Sequence, residues 1–494
     1  MSAKPLLILG TGSHVGKSLL VAGLCRILSD QGVDVAPYKA QNMALNSAVT
    51  PDGGEIGRAQ ALQAQAARLL ASRDMNPVLL KPVSNQASQV ILLGQVAATL
   101  SARQYYRFWP QAAQVAKQAY GRLAQAHQAI VMEGAGSPAE VNLADRDLAN
   151  LEAARFSQAP WVLVVDIERG GSFAAVVGTL ALVPAWLRRR FRGVVFNKFR
   201  GDSRLLDSGI AWLKARRIPC LGILPYLEGL VLDEEDSLSL SCVKTLMADK
   251  NSLKIEVILN RRISNFNDIK ALQGLEDVAL ALRKPGSKSP FKDPDLIILP
   301  GSKASLQDLW DLQSSGEAER IRDFAFKGTY ILGICGGYQM LGTVLDDSLG
   351  IEGKPCRGEG LGLLQLNTRF GKVKELREGF AEASIFKRHF KVKGYEIHQG
   401  CSKVFSPDRV WLRRSKDQAV LGSMDPDGRV LGTYLHGILD NPRFTLSLLD
   451  RIARGRGSKL SFEGRNIPSL DQEAQLDRWA GHLRQHLDLK RLLA

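Results

Sequence analysis

The 494-residue chain is short of cysteine, and what it has is not placed to build a scaffold. Cys25, Cys220, Cys242, Cys335, Cys356 and Cys401 lie far apart, with no C-x-x-C pair among them. That excludes a disulfide-stapled fold or a zinc ribbon and points to a reducing compartment. Long apolar runs are almost as scarce. Met1–Pro5 lacks the layout of a signal peptide, and Leu6–Leu9 is too short for its apolar region and reads as a strand. The uncharged stretch Gly170–Leu187 is interrupted by glycines, Ser172 and Pro184 and follows the strand-like Trp161–Ile167. A buried helix is expected there rather than a membrane span. No internal repeat is visible.

Acidic residues are outnumbered, 50 Asp and Glu against 65 Lys and Arg, for a net charge of +15. A solvated basic surface accounts for this without any partner. The clusters Arg188–Arg192 and Arg451–Lys459 have neither aromatic interleaving nor a helix-turn-helix pattern, so nucleic acid is not expected. An anionic small molecule is a third use of the charge. Hydrophobic residues at 45% and charged residues at 23% match soluble globular proteins and exclude a disordered or fibrous chain. The length suits two large domains, or three at about 150 residues each. The chain is expected to be cytoplasmic.

Short apolar runs at Leu6–Leu9, Ala129–Met132, Trp161–Asp166, Gly193–Phe196 and Cys220–Leu224 alternate with helical patterns such as Leu20, Leu24, Ile27 and Leu28. This alternation predicts a mostly parallel sheet covered by helices. A less periodic stretch, carrying the acidic run Asp233–Asp236, reads as a junction. A second α/β series begins at Lys254–Leu259 and continues through Leu296–Leu299 and Tyr330–Ile334. The expected organisation is therefore a domain over 1–228, a linker over 229–251, a domain over 252–449 and a basic, partly helical tail over 450–494.

Gly10-Thr-Gly-Ser-His-Val-Gly-Lys-Ser18 leaves the first strand and opens a helix, the setting of a phosphate-binding loop. Thr11, Gly12, Gly16, Lys17 and Ser18 are its candidate nucleotide contacts, with Lys17 reaching the phosphates and Ser18 a magnesium ligand. The first glycine stands one position earlier than the strict pattern requires. The spacing resembles instead the G-T-x-[ST]-x-x-G-K-[ST] variant of dethiobiotin-synthetase-like ATP enzymes. Glu133 and Glu140, after the Ala129–Met132 strand, are candidate metal carboxylates, since open α/β sheets bind ligands at the carboxyl ends of their strands. Asp166 also ends a strand, and reads either as a metal ligand or as a cap on the next helix. Lys39 and Lys81 read either as phosphate or substrate-carboxylate contacts or as surface lysines.

Gly333-Ile-Cys335-Gly-Gly337 closes another apolar run just before a helical pattern. This is the nucleophile-elbow spacing with cysteine in the serine position, where small neighbours allow a sharp turn that projects the sulfur. A helix N-terminus there favours thiolate. The candidate base is His436, in Gly432-Thr-Tyr-Leu-His-Gly437, with His398 as the other contender. Leu299-Pro-Gly-Ser-Lys303 is a further strand exit. Backbone N–H groups near Gly301 and Gly336 are candidate donors to an oxyanion.

Together these segments resemble the glutamine-hydrolysing cobyric acid synthase family over roughly residues 5–445. The match runs in order through Tyr38-Lys-Ala-Gln-Asn-Met-Ala-Leu-Asn-Ser47, Glu55-Ile-Gly-Arg-Ala-Gln60, Asn76–Pro82, Glu133–Glu140, Asp166–Gly171 and Asn197-Lys-Phe-Arg-Gly-Asp202. It continues through Ser264-Asn-Phe266, Pro300–Lys303, the Cys335 elbow, Gly394–His398 and Tyr434–Gly437. The resemblance implies two three-layer α/β domains, a P-loop ATP domain followed by a class I glutamine amidotransferase-like domain. It also implies amidation of the b, d, e and g carboxylates of adenosylcobyrinic acid a,c-diamide, with ATP, Mg²⁺ and glutamine consumed or bound and a corrinoid as substrate. Cys335 then matches the nucleophile and His436 the base. Where ordinary class I enzymes carry H-x-E, this chain has Ile438, leaving open a Cys-His dyad or an acid from elsewhere such as Glu396. Two rival readings are a cobyrinic acid a,c-diamide synthase, and a nucleotide-switched binding protein with an inactive amidotransferase module.

Overall fold

The computed structural model describes residues 3–83, 87–230, 232, 252–273, 275–467 and 470–493. The backbone groups into two compact units, Met1–Glu235 with Gln472–Ala494, and Asp236–Asp471. Most of the linker expected over 229–251 lies outside the described residues. The stretch expected as a tail is divided. Helix Pro442–Gly455 falls in the second unit and helix Gln472–His486 in the first.

Among the described residues, the first unit is built on a six-stranded parallel sheet, in the order Cys220–Pro225, Phe191–Phe199, Trp161–Asp166, Lys4–Gly10, Ala129–Glu133, Val35–Tyr38. Leu7, Ile8 and Leu9, like Val162, Leu163 and Val164, are wholly buried. Strands covered by helices on both faces need apolar side chains on both, which is why they read as unbroken runs. Burying each such side chain is worth about 2 kcal/mol. The helix Lys17–Asp30 turns Leu20, Leu24 and Ile27 onto this core. The uncharged stretch forms the helix Ser172–Leu182, ends at Val183-Pro184 and resumes as Ala185–Arg188. Among the described residues, no helix is long and apolar enough to cross a membrane.

A smaller sheet, Gln41–Met43, Val78–Pro82, Ala87–Leu92 and Gln95–Ser101, stands beside this core and was not foreseen from the sequence. Its last three strands form antiparallel pairs.

In the second unit, the strands Val278–Arg283, Leu253–Ile258, Leu296–Leu299, Tyr330–Ile334 and Val430–Thr433 lie parallel. The sheet then continues through Val420–Met424 and Val410–Arg414 to the long hairpin Leu366–Ile385 and Arg388–Val404. The register that pairs Leu299 with Gly333 and Ile334 with Thr433 sets their exits side by side. Gly301, Cys335 and His436 all leave that one edge.

Candidate functional site

In the first unit, Gly10 pairs with Val164, Ile8 with Glu133 and Asp166 with Asn197, so these residues share the carboxyl edge of the sheet. Gly16 takes φ +97° at the helix start, and a side chain there would strike the Asn197 amide. Glycine is required on both counts. Asn197 donates to the Val15 carbonyl at 2.8 Å, and Lys198 donates to the His14 carbonyl at 2.7 Å. Thr11 is fastened to the neighbouring strand through its N–H and the Val164 carbonyl, at 3.0 Å. The loop is thus held through its backbone by neighbouring strands.

Lys17 bends back over the loop, its ammonium donating to the carbonyls of Gly12 at 2.8 Å and Gly136 at 3.1 Å. Ser18 donates to Glu133 Oε1 at 2.8 Å, and Lys39 Nζ lies 2.9 Å from the same oxygen. Gln63 donates to the other carboxylate oxygen at 2.6 Å. Burial alone would raise the pKa of Glu133, but the Lys39 ammonium and these hydrogen bonds hold it below the usual carboxylate range. A hydroxyl and an ionised carboxylate converging beside a phosphate loop are the hard oxygen donors that magnesium prefers, so this pair fits the ion.

Other candidates fall differently. Glu140 lies exposed on the run 140–146, outside the buried group around Glu133. Asp166 pairs with Lys198 at 3.0 Å and accepts from the Glu168 N–H at 3.0 Å, so its carboxylate is engaged in holding its own loop. Lys39 and Lys81 are 4% and 1% exposed, which rules out the surface-lysine alternative for both. Lys81 donates to Glu55 at 2.6 Å and to Ser47 at 2.7 Å.

In the second unit, Cys335 sits between strand Tyr330–Ile334 and helix Gly336–Leu341 at φ +51°, ψ −106°. A non-glycine residue in that region is strained and is held there by its surroundings. The Cys335 N–H donates to the Thr433 carbonyl at 2.7 Å. The turn also needs its glycines. A methyl group on Gly337 would lie 1.9 Å from the Leu299 carbonyl, and one on Gly336 would lie 2.7 Å from the Ser302 nitrogen.

His436 is wholly buried, stacked on Tyr395 at 5.1 Å, with Nδ1 2.7 Å from Asp268 Oδ2. The other Asp268 oxygen accepts from the Gly437 N–H at 2.7 Å. Burial disfavours a charged imidazole. The Asp268 carboxylate and the nearby Cys335 sulfur outweigh it, and the His436 pKa is pushed up to about 10. Gly301 packs close by, since a methyl group there would lie 3.1 Å from His436 Cε1. The structure therefore gathers Cys335, His436, Gly301 and Gly336 at one place.

The acid beside His436 is Asp268, which the sequence reading did not single out. Glu396 is engaged elsewhere, clasped by Arg414 through two 2.8 Å bonds and 3.5 Å from His398. His398 lies with its ring stacked 3.9 Å from that of Tyr434 and its Nδ1 2.8 Å from the Gly400 carbonyl. The one available signal was the neighbouring Ser264-Asn-Phe266 segment, which lies two residues before Asp268.

Known proteins match both halves. The family described as the CobQ/CobB/MinD/ParA nucleotide binding domain matches residues 6–240, and the CobB/CobQ-like glutamine amidotransferase domain matches residues 254–444. A cobyric acid synthase of Pelotomaculum thermopropionicum is 46% identical over 511 residues, covering 100% of this chain and 96% of its own. That of Yersinia enterocolitica is 42% identical, covering 99% and 97%, and that of a Nostoc species is 43% identical, covering 99% of each chain.

Proposed function

The chain belongs to the cobyric acid synthase family, and from that premise we propose that it amidates the b, d, e and g carboxylates of adenosylcobyrinic acid a,c-diamide with ATP and glutamine. It is a glutamine amidotransferase-containing amidoligase of cobalamin biosynthesis. The observation that carries the finer reading is that one chain holds both a buried Cys335–His436–Asp268 group and a phosphate loop backed by Glu133 and Lys39.

Residues 252–449 release the nitrogen. The Cys335 thiolate, paired with the His436 imidazolium, attacks the side-chain carbonyl carbon of glutamine. Backbone N–H groups near Gly301 and Gly336 hold the resulting oxyanion. His436 passes its proton to the departing nitrogen, the C–N bond breaks, and ammonia leaves a glutamyl thioester. His436 then takes a proton from water, which cleaves the thioester to glutamate. Asp268 fixes the ring tautomer and stabilises the imidazolium throughout.

Residues 1–228 use the nitrogen. Thr11, Gly12, Gly16 and Lys17 cradle the triphosphate, with Lys17 released from its two carbonyls onto the phosphates. Ser18 and Glu133 would hold a magnesium ion, which neutralises phosphate charge when bound. A corrinoid carboxylate oxygen attacks the γ-phosphorus and ADP departs, giving an acyl phosphate. Ammonia attacks the acyl carbon, and phosphate leaves as the amide forms. The reading includes a cytoplasmic setting, where ATP is available and Cys335 stays reduced.

Incubating the protein with ATP, Mg²⁺, glutamine and the a,c-diamide, then following products by mass spectrometry, tests this reading. Stepwise gain of four amides is expected. A product that gains none, or amidation of the a and c positions of cobyrinic acid instead, contradicts it.

A further inference from the structure

Two glutamines of one short helix stand behind the Glu133 carboxylate. Gln60 and Gln63 are three residues apart on the helix Arg58–Ala66, so their side chains are neighbours on one face. Both are wholly buried. A buried glutamine needs partners for its amide oxygen and for its nitrogen. Gln60 meets that need as a relay. Its oxygen accepts from the Asn42 amide at 3.0 Å, and its nitrogen donates to Glu133 Oε2 at 3.3 Å. Gly57 leaves the relay no slack, since a methyl group there would lie 2.5 Å from the Gln60 oxygen. Asn42 belongs to the strand Gln41–Met43, so the smaller sheet supplies the outer end of this chain of amides.

Gln63 meets the need only in part. Its nitrogen donates to Glu133 Oε2 at 2.6 Å and to the Ser18 carbonyl at 3.2 Å. Turning the amide over would set its oxygen against both of those oxygens, so its orientation is fixed. Gln63 Oε1 is then a buried acceptor with no hydrogen-bond partner among the described residues. An orphaned acceptor beside Ser18 and Glu133 marks the place of a donor that arrives with a ligand.

The two oxygens of Glu133 are thus treated unequally. Oε2 accepts from both glutamines, whereas Oε1 meets Ser18 at 2.8 Å and Lys39 at 2.9 Å. Among the described residues, no group of three or more His, Cys, Asp or Glu side chains is placed to hold a metal. An ion at Ser18 and Glu133 therefore keeps much of its coordination for water and phosphate. That suits Mg²⁺, which binds through few carboxylates and retains waters. Ca²⁺ takes about six to eight oxygens and accepts a carboxylate through both of its own.

We infer that Gln60 and Gln63 set the metal preference of the phosphate site. Their amides hold Glu133 Oε2, so that Oε1 alone is offered to the ion, and Gln63 Oε1 accepts from a water that the ion retains. Both are positioning residues that act through Glu133 and the water. Hydrogen-bonded partners of a ligating carboxylate tune a metal in this way. The assignment rests on the reading above in which Ser18 and Glu133 hold magnesium.

The test measures binding rather than turnover. The full chain, as wild type, Gln63→Met and Gln60→Met, is titrated with a non-hydrolysable ATP analogue in Mg²⁺ and, separately, in Ca²⁺. Thermal unfolding first shows that each variant is folded. Methionine keeps the length of the side chain and removes both amide atoms. Wild type should bind the analogue more tightly with Mg²⁺. In Gln63→Met the affinity with Mg²⁺ should fall roughly tenfold or more, and with Ca²⁺ much less, so the preference narrows. Gln60→Met loses the longer contact and should narrow it less. Damage to the fold alone lowers both affinities together and leaves their ratio in place. An unchanged ratio in Gln63→Met, or no preference in wild type, overturns the assignment while the magnesium site stands. Should Gln63→Met not fold, an unchanged ratio in Gln60→Met does the same. Analogue binding by wild type that ignores divalent ions altogether sinks the magnesium site, and this assignment with it.

Discussion

His436 owes its raised proton affinity first to Asp268, a carboxylate 168 residues upstream in the chain, and then to the Cys335 sulfur. Its folded value of about 10 lies above the free imidazole value of 6.5, so the pair's contribution to stability is complete below pH 6.5 and is lost as pH rises through about 10. On the proposed mechanism, the imidazolium that serves glutamine cleavage survives to the same limit. Asp268→Asn keeps the shape of the contact and removes the charge. The alkaline limb of glutamine hydrolysis should then move from near pH 10 toward neutrality, with kcat reduced on the order of 100-fold. A pH–rate profile measures both, and an alkaline limb that stays in place contradicts the role of Asp268. Cys335 and His436 stood out in the sequence because glycines frame each of them. Asp268 did not, because chain folding alone brings it to His436, and the position where such an acid is usually sought holds Ile438. Lys39 and Lys81 read as ambiguous for the same reason. A lysine looks like a surface residue until the partner that permits its burial is known, and Glu133 and Glu55 are distant in sequence.

At the scale of elements, most parallel strands of both units were legible because burial on two faces makes them continuous apolar runs, whereas Val35–Tyr38 and Val278–Arg283 were not singled out. The long hairpin Leu366–Val404 was not. Its strands alternate buried and charged positions, and Phe386 and Lys387 form its turn at φ +57° and +58°. Such turns are normally announced by asparagine or glycine, and here neither is present. The stretch 450–494 was legible only as basic and partly helical, and the helix Gln472–His486 within it was not singled out. It lies along the phosphate-loop helix, where the Trp479 indole donates to the Leu19 carbonyl at 2.7 Å, one residue beyond Ser18. Arg26 is buried between Glu473 at 2.8 Å and Asp477 at 2.7 Å. Gly23 leaves room for this packing, since a methyl group there would lie 2.2 Å from Leu483. Trp479→Phe keeps the aromatic packing and loses the hydrogen bond, about 1 kcal/mol. The KM for ATP should rise several-fold in both ammonia- and glutamine-driven assays, with glutamine hydrolysis unchanged. An unaltered KM for ATP would reduce Trp479 to packing alone.

At the scale of the whole molecule, the chain completes its first unit only after making its second, since residues 472–494 return to pack with residues 1–235. On the proposed function, two chemistries that need different environments are carried by one polypeptide. Sulfur attack requires a strained elbow and a charged imidazole, while phosphoryl transfer requires a loop of backbone N–H groups and hard oxygen donors. The most direct test of this division is nitrogen-source dependence in Cys335→Ala, with Lys17→Ala as its counterpart. Cys335→Ala should lose amidation with glutamine and retain it with ammonium salt, whereas Lys17→Ala should lose both. Loss of both activities in a folded Cys335→Ala protein, or ammonia-driven synthesis retained in Lys17→Ala, would contradict the account.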